Sequence, residues 1–283
     1  MRVGVIQLNS GDDPAVNLVN TQKLILEAAA RGATFVATPE VTNIVSTSHE
    51  HQDSVLCNEI DDKTLIALRE TAADLKILLL IGSLALKTNN PNKSFVNRSF
   101  LINSLGEIIA RYDKIHMFDV KVSETETYCE SAAYRPGKNA SVVTTSTVRI
   151  GMTICYDMRF PHLYRDLAQN GADIMTVPSA FSPVTGAAHW YSLLRARAIE
   201  NGCFVIAPAQ TGKHVIRTGK PRSTYGHSLV VGPWGEVLLD AGTSTGSHIV
   251  DLDLTSVQAA RYRIPTLKKM PEATLNHDRR TQH

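Results

Sequence analysis

Apolar residues recur along the chain in two spacings, and short polar stretches separate them. Residues 2–8 are apolar at nearly every position and read as a buried strand. Asp13 and Pro14 then offer an N-cap and a proline at the first helical position. Val16, Leu18, Val19, Ile25, Leu26 and Ala29 follow at mainly helical spacing, and Gly32 stops the helix. A short strand at 34–37 ends in Pro39-Glu40. Residues 41–59 are polar without a period and read as a loop. Asp62 caps a helix to about Leu75, and 76–84 is a strongly apolar strand. Residues 94–103 and 107–111 form an antiparallel pair turned at Leu105-Gly106.

The long polar stretch 113–139 reads as an irregular loop, of a length that is usually functional. Strands follow at 142–145 and 148–154, a helix at 161–170, a strand at 173–177, and a loop at 178–186. A helix runs from about Ala187 to Asn201, closed by Gly202, and a strand occupies 203–208. A hairpin at 227–231 and 236–239 turns around Gly232-Pro233-Trp234-Gly235, the last strand is 249–252, and a short helix spans 255–262. The order β-α-β-α-β-β thus occurs twice, with no linker, low-complexity tract or charge run between. The expectation is an α/β fold, one domain over 1–283 with a short C-terminal tail from about 264. It has two mixed sheets, helices on the outer faces and internal pseudo-symmetry.

Composition removes several function classes. A formal net charge of +2 over 283 residues gives no bulk electrostatic case for nucleic acid or membrane binding. The basic segment 263–269 reads as a solvated or interface segment. The four cysteines, Cys57, Cys129, Cys155 and Cys203, form no C-x-x-C pair or zinc-finger spacing, which suits free thiols in a reducing compartment. The apolar run at the N-terminus is too short for a signal or a span, so a cytoplasmic protein is expected. His116, His189 and His227 do not follow a metal-ligand spacing, no G-x-G-x-x-G follows a strand, and neither metal nor cofactor is called for.

Candidate chemistry gathers where strands end. The stretch 149–161 is an apolar strand that delivers Cys155, followed at once by Asp157 and Arg159, and then Pro161 at the start of a helix. Such a corner exposes a nucleophile and aims backbone N–H groups at one spot. A plain core thiol is the alternative for Cys155. Glu40 follows the second strand and Lys114 opens the long loop; singly, they are a solvated strand end and a surface lysine. Together the three meet a chemical demand. The thiolate is the nucleophile but a neutral-pH thiol is mostly protonated, so a carboxylate is needed to take the proton. An ammonium then stabilises negative charge on sulfur and on a carbonyl oxygen. No histidine lies in a cysteine-protease signature.

Three ordered segments resemble the nitrilase superfamily of carbon–nitrogen hydrolases, with its Glu–Lys–Cys triad. They are Thr38-Pro39-Glu40, Tyr112-Asp-Lys-Ile-His-Met-Phe-Asp119 and Gly151-Met-Thr-Ile-Cys-Tyr-Asp-Met-Arg-Phe-Pro161. The resemblance covers nearly the whole chain and implies a four-layer α-β-β-α sandwich that pairs as a homodimer or higher homo-oligomer. Residues 178–190, 194–200 and 223–236 resemble the deaminated-glutathione amidase and ω-amidase branch. Ser223-Thr-Tyr-Gly-His-Ser228 and Ala207-Pro-Ala-Gln210 lean towards the former. The segment 123–128 departs from that branch in lacking its proline and glycine.

The resemblance implies an amidase that hydrolyses the terminal amide of a small 2-oxo amide of the deaminated-glutathione type through a cysteine thioester, releasing ammonia. Glu40 serves as base, acid and base in turn, and burial is expected to raise its pKa into the working range. Lys114 and the backbone N–H of Tyr156 hold the oxyanion. Glu130 matches a second family glutamate that positions Lys114; Glu124 and Glu126 are its rivals in sequence. Arg159 is the candidate for a substrate carboxylate, against an ion pair with Asp157 or a helix-end carboxylate. Phe181 and Thr185 border the pocket or serve packing and turn chemistry. The alternatives are ω-amidase acting on 2-oxoglutaramate, N-carbamoyl amino-acid hydrolase, nitrilase, and an inactive binding or scaffold member.

Overall fold

The computed structural model describes residues 1–89, 95–122 and 126–268. In chain order the first half contains β1 (Arg2–Gln7), α1 (Pro14–Ala30), β2 (Phe35–Ala37), α2 (His49–Val55) and α3 (Lys63–Leu75). It continues through β3 (Leu78–Lys87), β4 (Phe95–Ile102), β5 (Ile108–Asp113), β6 (Asp119–Lys121) and β7 (Thr127–Cys129). The second half contains β8 (Ser141–Thr144), β9 (Arg149–Met152), α4 (Pro161–Gln169), β10 (Ile174–Thr176), α5 (Pro183–Asn201) and β11 (Phe204–Ala207). Then come β12 (Thr211–Lys213), β13 (Ser223–Tyr225), β14 (Leu229–Val231), β15 (Val237–Asp240), β16 (Gly246–Asp251) and α6 (Thr255–Arg263).

The helix signals in the sequence act as expected. Asp13 accepts from the N–H of Ala15 at 3.0 Å, with Pro14 opening α1. Asp62 accepts from Leu65 N–H at 2.8 Å, and Gly202 closes α5 at φ +53°. Several boundaries differ for identifiable reasons. The stretch 41–59 holds α2, whose N-cap is Ser48. Helix α5 begins at Pro183 and not near Ala187, because Pro183 takes the first helical position after Ser182. The stretch 113–139 holds the β6–β7 ribbon and a 3-10 turn at Glu130–Ala132. The β12–β13 ribbon had no periodic signal at all, being three-residue strands. Part of the expected strand at 94, the Glu124 position and the tail beyond 268 lie outside the described residues.

Two six-stranded sheets result, ordered β16-β1-β2-β3-β4-β5 and β15-β14-β11-β10-β9-β8. In each, three central strands run parallel, joined by helices, and antiparallel strands flank them. The first sheet's β1-β2-β3-β4-β5 therefore corresponds to β9-β10-β11-β14-β15 of the second, and the duplicated order read from the sequence is real. The structural register also exposes short matches between the halves. Val3 faces Phe35 as Ile150 faces Ile174, which equates Gly4 with Gly151. Both glycines let a helix layer approach closely. A Cβ at Gly4 would lie 2.8 Å from that of Ala28 in α1, and one at Gly151 would lie 3.3 Å from that of Leu167 in α4.

Alternation along each strand sorts side chains between layers. Val3, Val5, Phe35, Ala37, Leu80 and Leu101 face the second sheet, packing with Ile150, Met152 and Ile174. Their neighbours Ile6, Val36, Leu79, Ile81 and Phe100 pack instead with Ile25 and Ala28 of α1 and Leu65 and Leu68 of α3. Helices α4 and α5 cover the far face of the second sheet through Leu163, Leu167, Trp190 and Leu194. The architecture is the α-β-β-α sandwich. Where β1, β10 and β11 run out, backbone bridges Leu8–Gln210 and Ser179–Ala209 extend the pairing. Glu40, Lys114 and Cys155 all leave their strands at this end.

Candidate active site

The corner at Cys155 is built by sequence-local bonds. Strand β9 ends at Met152, two residues before the apolar run does, because Asp157 Oδ2 takes the Ile154 N–H at 2.8 Å. The chain then turns into a 3-10 segment at Cys155–Arg159, with Cys155 at φ +47°. A non-glycine residue in the left-handed region is held there by its surroundings. Here the Cys155 N–H is fixed on Pro178 O at 3.0 Å, and Asp157 is entirely buried. The Tyr156 N–H, at the start of the turn, has no acceptor among the described residues. It therefore remains available to a substrate oxygen.

Lys114 and Glu40 reach this corner from the other sheet. Lys114 Nζ lies 2.9 Å from Glu40 Oε1 and 2.8 Å from Glu130 Oε2. Asn97 of β4 donates to both carboxylates, at 2.9 Å to Glu40 and 3.3 Å to Glu130. The second Glu40 oxygen accepts the Ala180 N–H at 2.8 Å, and Glu130 accepts the Phe118 N–H at 2.7 Å. The Cys155 thiol lies within electrostatic reach of the Glu40 carboxylate, the Lys114 ammonium and the Ala180 N–H. Cys155, Glu40 and Lys114 are 6%, 4% and 2% exposed, so their charges act across a nearly dry site.

Protonation follows from that geometry. Burial by itself would push Glu40 up, but the charge of Lys114 and its hydrogen bond outweigh it and hold the carboxyl below its ordinary value. The expectation that burial raises Glu40 is thus corrected: Lys114 is too close. Burial likewise opposes the charge on Lys114, yet Glu130 and Glu40 keep it well above the ordinary lysine range. Burial and then the Glu40 charge push the Cys155 thiol up. The resting site therefore holds a protonated thiol beside an ionised carboxylate and an ammonium.

The remaining sequence candidates fall into separate groups. Glu130 bonds to Lys114. Glu126 does not; it accepts from Tyr128 Oη at 2.7 Å and Ser182 Oγ at 2.9 Å. Arg159 is not paired with Asp157, whose oxygens are taken by Tyr112, His116 and Ile154. Its guanidinium instead lies 5.9 Å from the Tyr156 ring and 5.5 Å from the Phe181 ring, and 3.3 Å from His189 Nδ1. Phe181 is buried against Trp190. Among the described residues, Thr185 Oγ1 bonds within the first turn of α5, to Ser182 O. His227 pairs with Asp240, and no cluster placed to hold a metal occurs among the described residues.

Sequence reasoning missed three residues here. Asn97 was visible only as a polar interruption in an apolar strand. Gln210 Nε2 donates to Glu40 O at 3.1 Å and supports the corner at Val41, φ +49°. Arg222, just before β13, donates to Ala180 O at 3.1 Å, on the peptide unit next to the one that binds Glu40. Arg222 lies in no motif, and Gln210 ends the Ala207–Gln210 stretch without a role that its spacing would reveal.

A strained-corner cysteine, a buried carboxylate and a lysine meet at the strand ends of a two-sheet sandwich, an arrangement that suits a hydrolase. The comparisons with known proteins make the class specific: residues 2–262 match the Carbon-nitrogen hydrolase family, and the chain belongs to it. It is 37% identical over 274 residues to the deaminated glutathione amidase of Yersinia enterocolitica, covering 94% of this chain and 91% of that one. A human deaminated glutathione amidase is 36% identical over 94% of this chain and 81% of its own. Among solved structures, the C. elegans NitFhit protein superposes with a TM-score of 0.86 at 33% identity. That alignment covers 95% of this chain and 64% of the longer NitFhit chain.

Proposed function

We propose that this protein is an amidase acting on a small 2-oxo amide of the deaminated-glutathione type, through a thioester on Cys155. The observation that carries the reading is that one buried carboxylate, Glu40, is paired with the Lys114 ammonium at 2.9 Å while its charge acts on the buried Cys155 thiol. The names of the relatives support the substrate class.

In the proposed reaction Glu40 accepts the thiol proton as sulfur attacks the amide carbon. With the thiol raised and Glu40 lowered, this transfer is uphill at rest, so it proceeds as the S–C bond forms. Lys114 and the Tyr156 N–H receive the charge that develops on oxygen. Glu40 then gives its proton to the leaving nitrogen and the C–N bond breaks. The leaving group is ammonia for a primary amide and an amine for a substituted one. In deaminated glutathione the scissile amide is substituted, so its product amine is cysteinylglycine; the expected ammonia belongs to primary amides such as 2-oxoglutaramate. Water, deprotonated by Glu40, attacks the thioester, and the proton returns to sulfur. Glu130 and Asn97 act as positioning residues for Lys114 and Glu40. Arg159 is the proposed partner of the acyl-chain carboxylate, its fork suited to bidentate binding. Phe181 and Tyr156 wall the pocket beside it.

We further assign the chain to one domain, spanning the family match, and to a homodimer. Exposed apolar side chains on α5 and beside β15 support an interface: Val184, Ile199, Trp234, Val237 and Leu238. Four unpaired cysteines fit a reducing, cytoplasmic location, and no helix among the described residues is long and apolar enough to cross a membrane. Side-by-side hydrolysis of deaminated glutathione, 2-oxoglutaramate and a simple nitrile tests the reading. Highest kcat/KM on deaminated glutathione is expected. Preference for the nitrile, or hydrolysis of none, would overturn it.

A further inference from the structure

An aromatic wall lines one side of the site, and a cation stands on each flank of it. Phe118 lies in the middle, its ring 5.0 Å from that of Tyr128 and 5.1 Å from that of Tyr156. Arg159 rests over Tyr156. Arg222 rests over Tyr128, at 5.7 Å. Glu126, which shares Tyr128 with it, is turned to Tyr128 and Ser182, and no carboxylate of the described residues forms an ion pair with Arg222, although its charge reaches Glu40. One guanidinium N–H is bonded to Ala180 O. Arg222 is half-buried, and its backbone is pinned by His214 N–H to Arg222 O at 3.0 Å. A half-buried, stacked and positioned guanidinium without a carboxylate partner is poised for an anion.

The two arginines reach the site from different segments of the chain and make different links to the triad residues. Arg159 follows Cys155 within the same 3-10 turn, beside the proposed oxyanion site. Arg222 is linked to Glu40 through the backbone around Ala180, whose N–H binds Glu40 and whose O accepts from Arg222. Since Glu40 is the proposed donor to the departing nitrogen, the leaving group exits on the Arg222 side.

We propose that Arg222 is a specificity-determining residue that binds a carboxylate carried by the leaving amine, as in a peptide-like amine product. This rests on the amidase reading and goes beyond it by assigning each of two substrate charges its own arginine. The ligand class is an amide with an anionic acyl chain and an anionic leaving group. Tyr128 supplies the surface against which that group lies.

The test uses two substrates that share a 2-oxoglutaryl acyl group. One has cysteinylglycine as leaving amine, and the other has the same dipeptide with its carboxyl end converted to carboxamide. The wild-type protein should favour the acid by about tenfold or more in kcat/KM, mainly through KM. In Arg222→Gln the preference should collapse towards one, and Arg222→Lys should keep part of it. Arg159→Gln should weaken both substrates and leave the preference in place. If Arg222→Gln and Arg222→Lys discriminate as the wild type does, this proposal is wrong and the amidase reading stands. If the wild type hydrolyses neither substrate, both fall.

Discussion

The Asp157 carboxylate accepts a 2.7 Å hydrogen bond from the hydroxyl of Tyr112, although Tyr112 lies in a strand of the first sheet and Asp157 in the turn that follows β9 of the second. The same carboxylate takes the backbone and ring N–H of His116 and the N–H of Ile154. Tyr112 and His116 bracket Lys114, and Ile154 precedes Cys155. One buried acid thus sets the spacing between the proposed nucleophile and the proposed oxyanion lysine. A carboxylate sealed among four donors is a rigid joint.

Replacing that joint should cost activity more than fold. Asp157→Asn keeps the size but turns one acceptor into a donor that faces Ile154 N–H or Tyr112 Oη. We expect kcat to fall by about 10- to 100-fold, and stability to drop by about 1–3 kcal/mol, the usual cost of one unmade buried bond. Urea unfolding and steady-state kinetics on the same preparation check both.

Glu40→Gln preserves shape but removes the proposed proton carrier. The expected loss in kcat is at least about 100-fold, within the range attributed to general acid–base catalysis. Steady-state amine release measures it, and a loss below tenfold would point to a different base.

Lys114→Met removes the cation between buried Glu40 and half-buried Glu130. Breaking a buried pair from one side typically costs about 3–5 kcal/mol. Denaturant unfolding should show a loss of that order, with activity abolished. The double variant Lys114→Met with Glu130→Gln should recover part of the stability, because one uncompensated charge is gone.

Acid lability should arise in two stages. His214 is buried, its Nδ1–H donating to Ser10 O at 2.7 Å and its Nε2 accepting from Thr224 Oγ1 at 2.8 Å. Burial lowers it to about 4. The unfolded chain binds this proton below the ordinary histidine value of about 6.5, so stability falls as pH drops from there towards 4. Glu40 is lowered in the fold, so its contribution is present above the ordinary glutamate value and is lost as pH falls through the folded one. Lys114 is raised, so its contribution is full below the ordinary lysine value and is lost as pH rises through the folded one. Thermal unfolding across pH should show a midpoint that already declines between pH 6.5 and 4. His214→Asn should flatten that slope without altering the steeper loss below it.

Much of this molecule was legible in its residues, and the misses share a cause. Long apolar runs and capped helices announced themselves, since burial forces periodicity and Asp13, Asp62 and Gly202 mark ends. The triad positions were readable because each sits just past an apolar strand. Elements of three residues, such as β6, β7, β12 and β13, are too short to show a period, so the ribbons carrying Tyr128 and Arg222 were invisible. Asn97 and Gln210 act from strand and loop positions brought to Glu40 only by the packing of the sheets. The direction of the Glu40 shift depended on its distance to Lys114, which sequence spacing does not encode.

Trapping the acyl-enzyme tests the central claim most directly. The protein would be quenched in acid during turnover of a slow 2-oxo amide, digested and examined by peptide mass spectrometry. The account predicts an added acyl mass on the peptide carrying Cys155, absent from those of Cys57, Cys129 and Cys203 and absent in Cys155→Ala. Turnover that continues in Cys155→Ala, or an acyl mass on another residue, would contradict it.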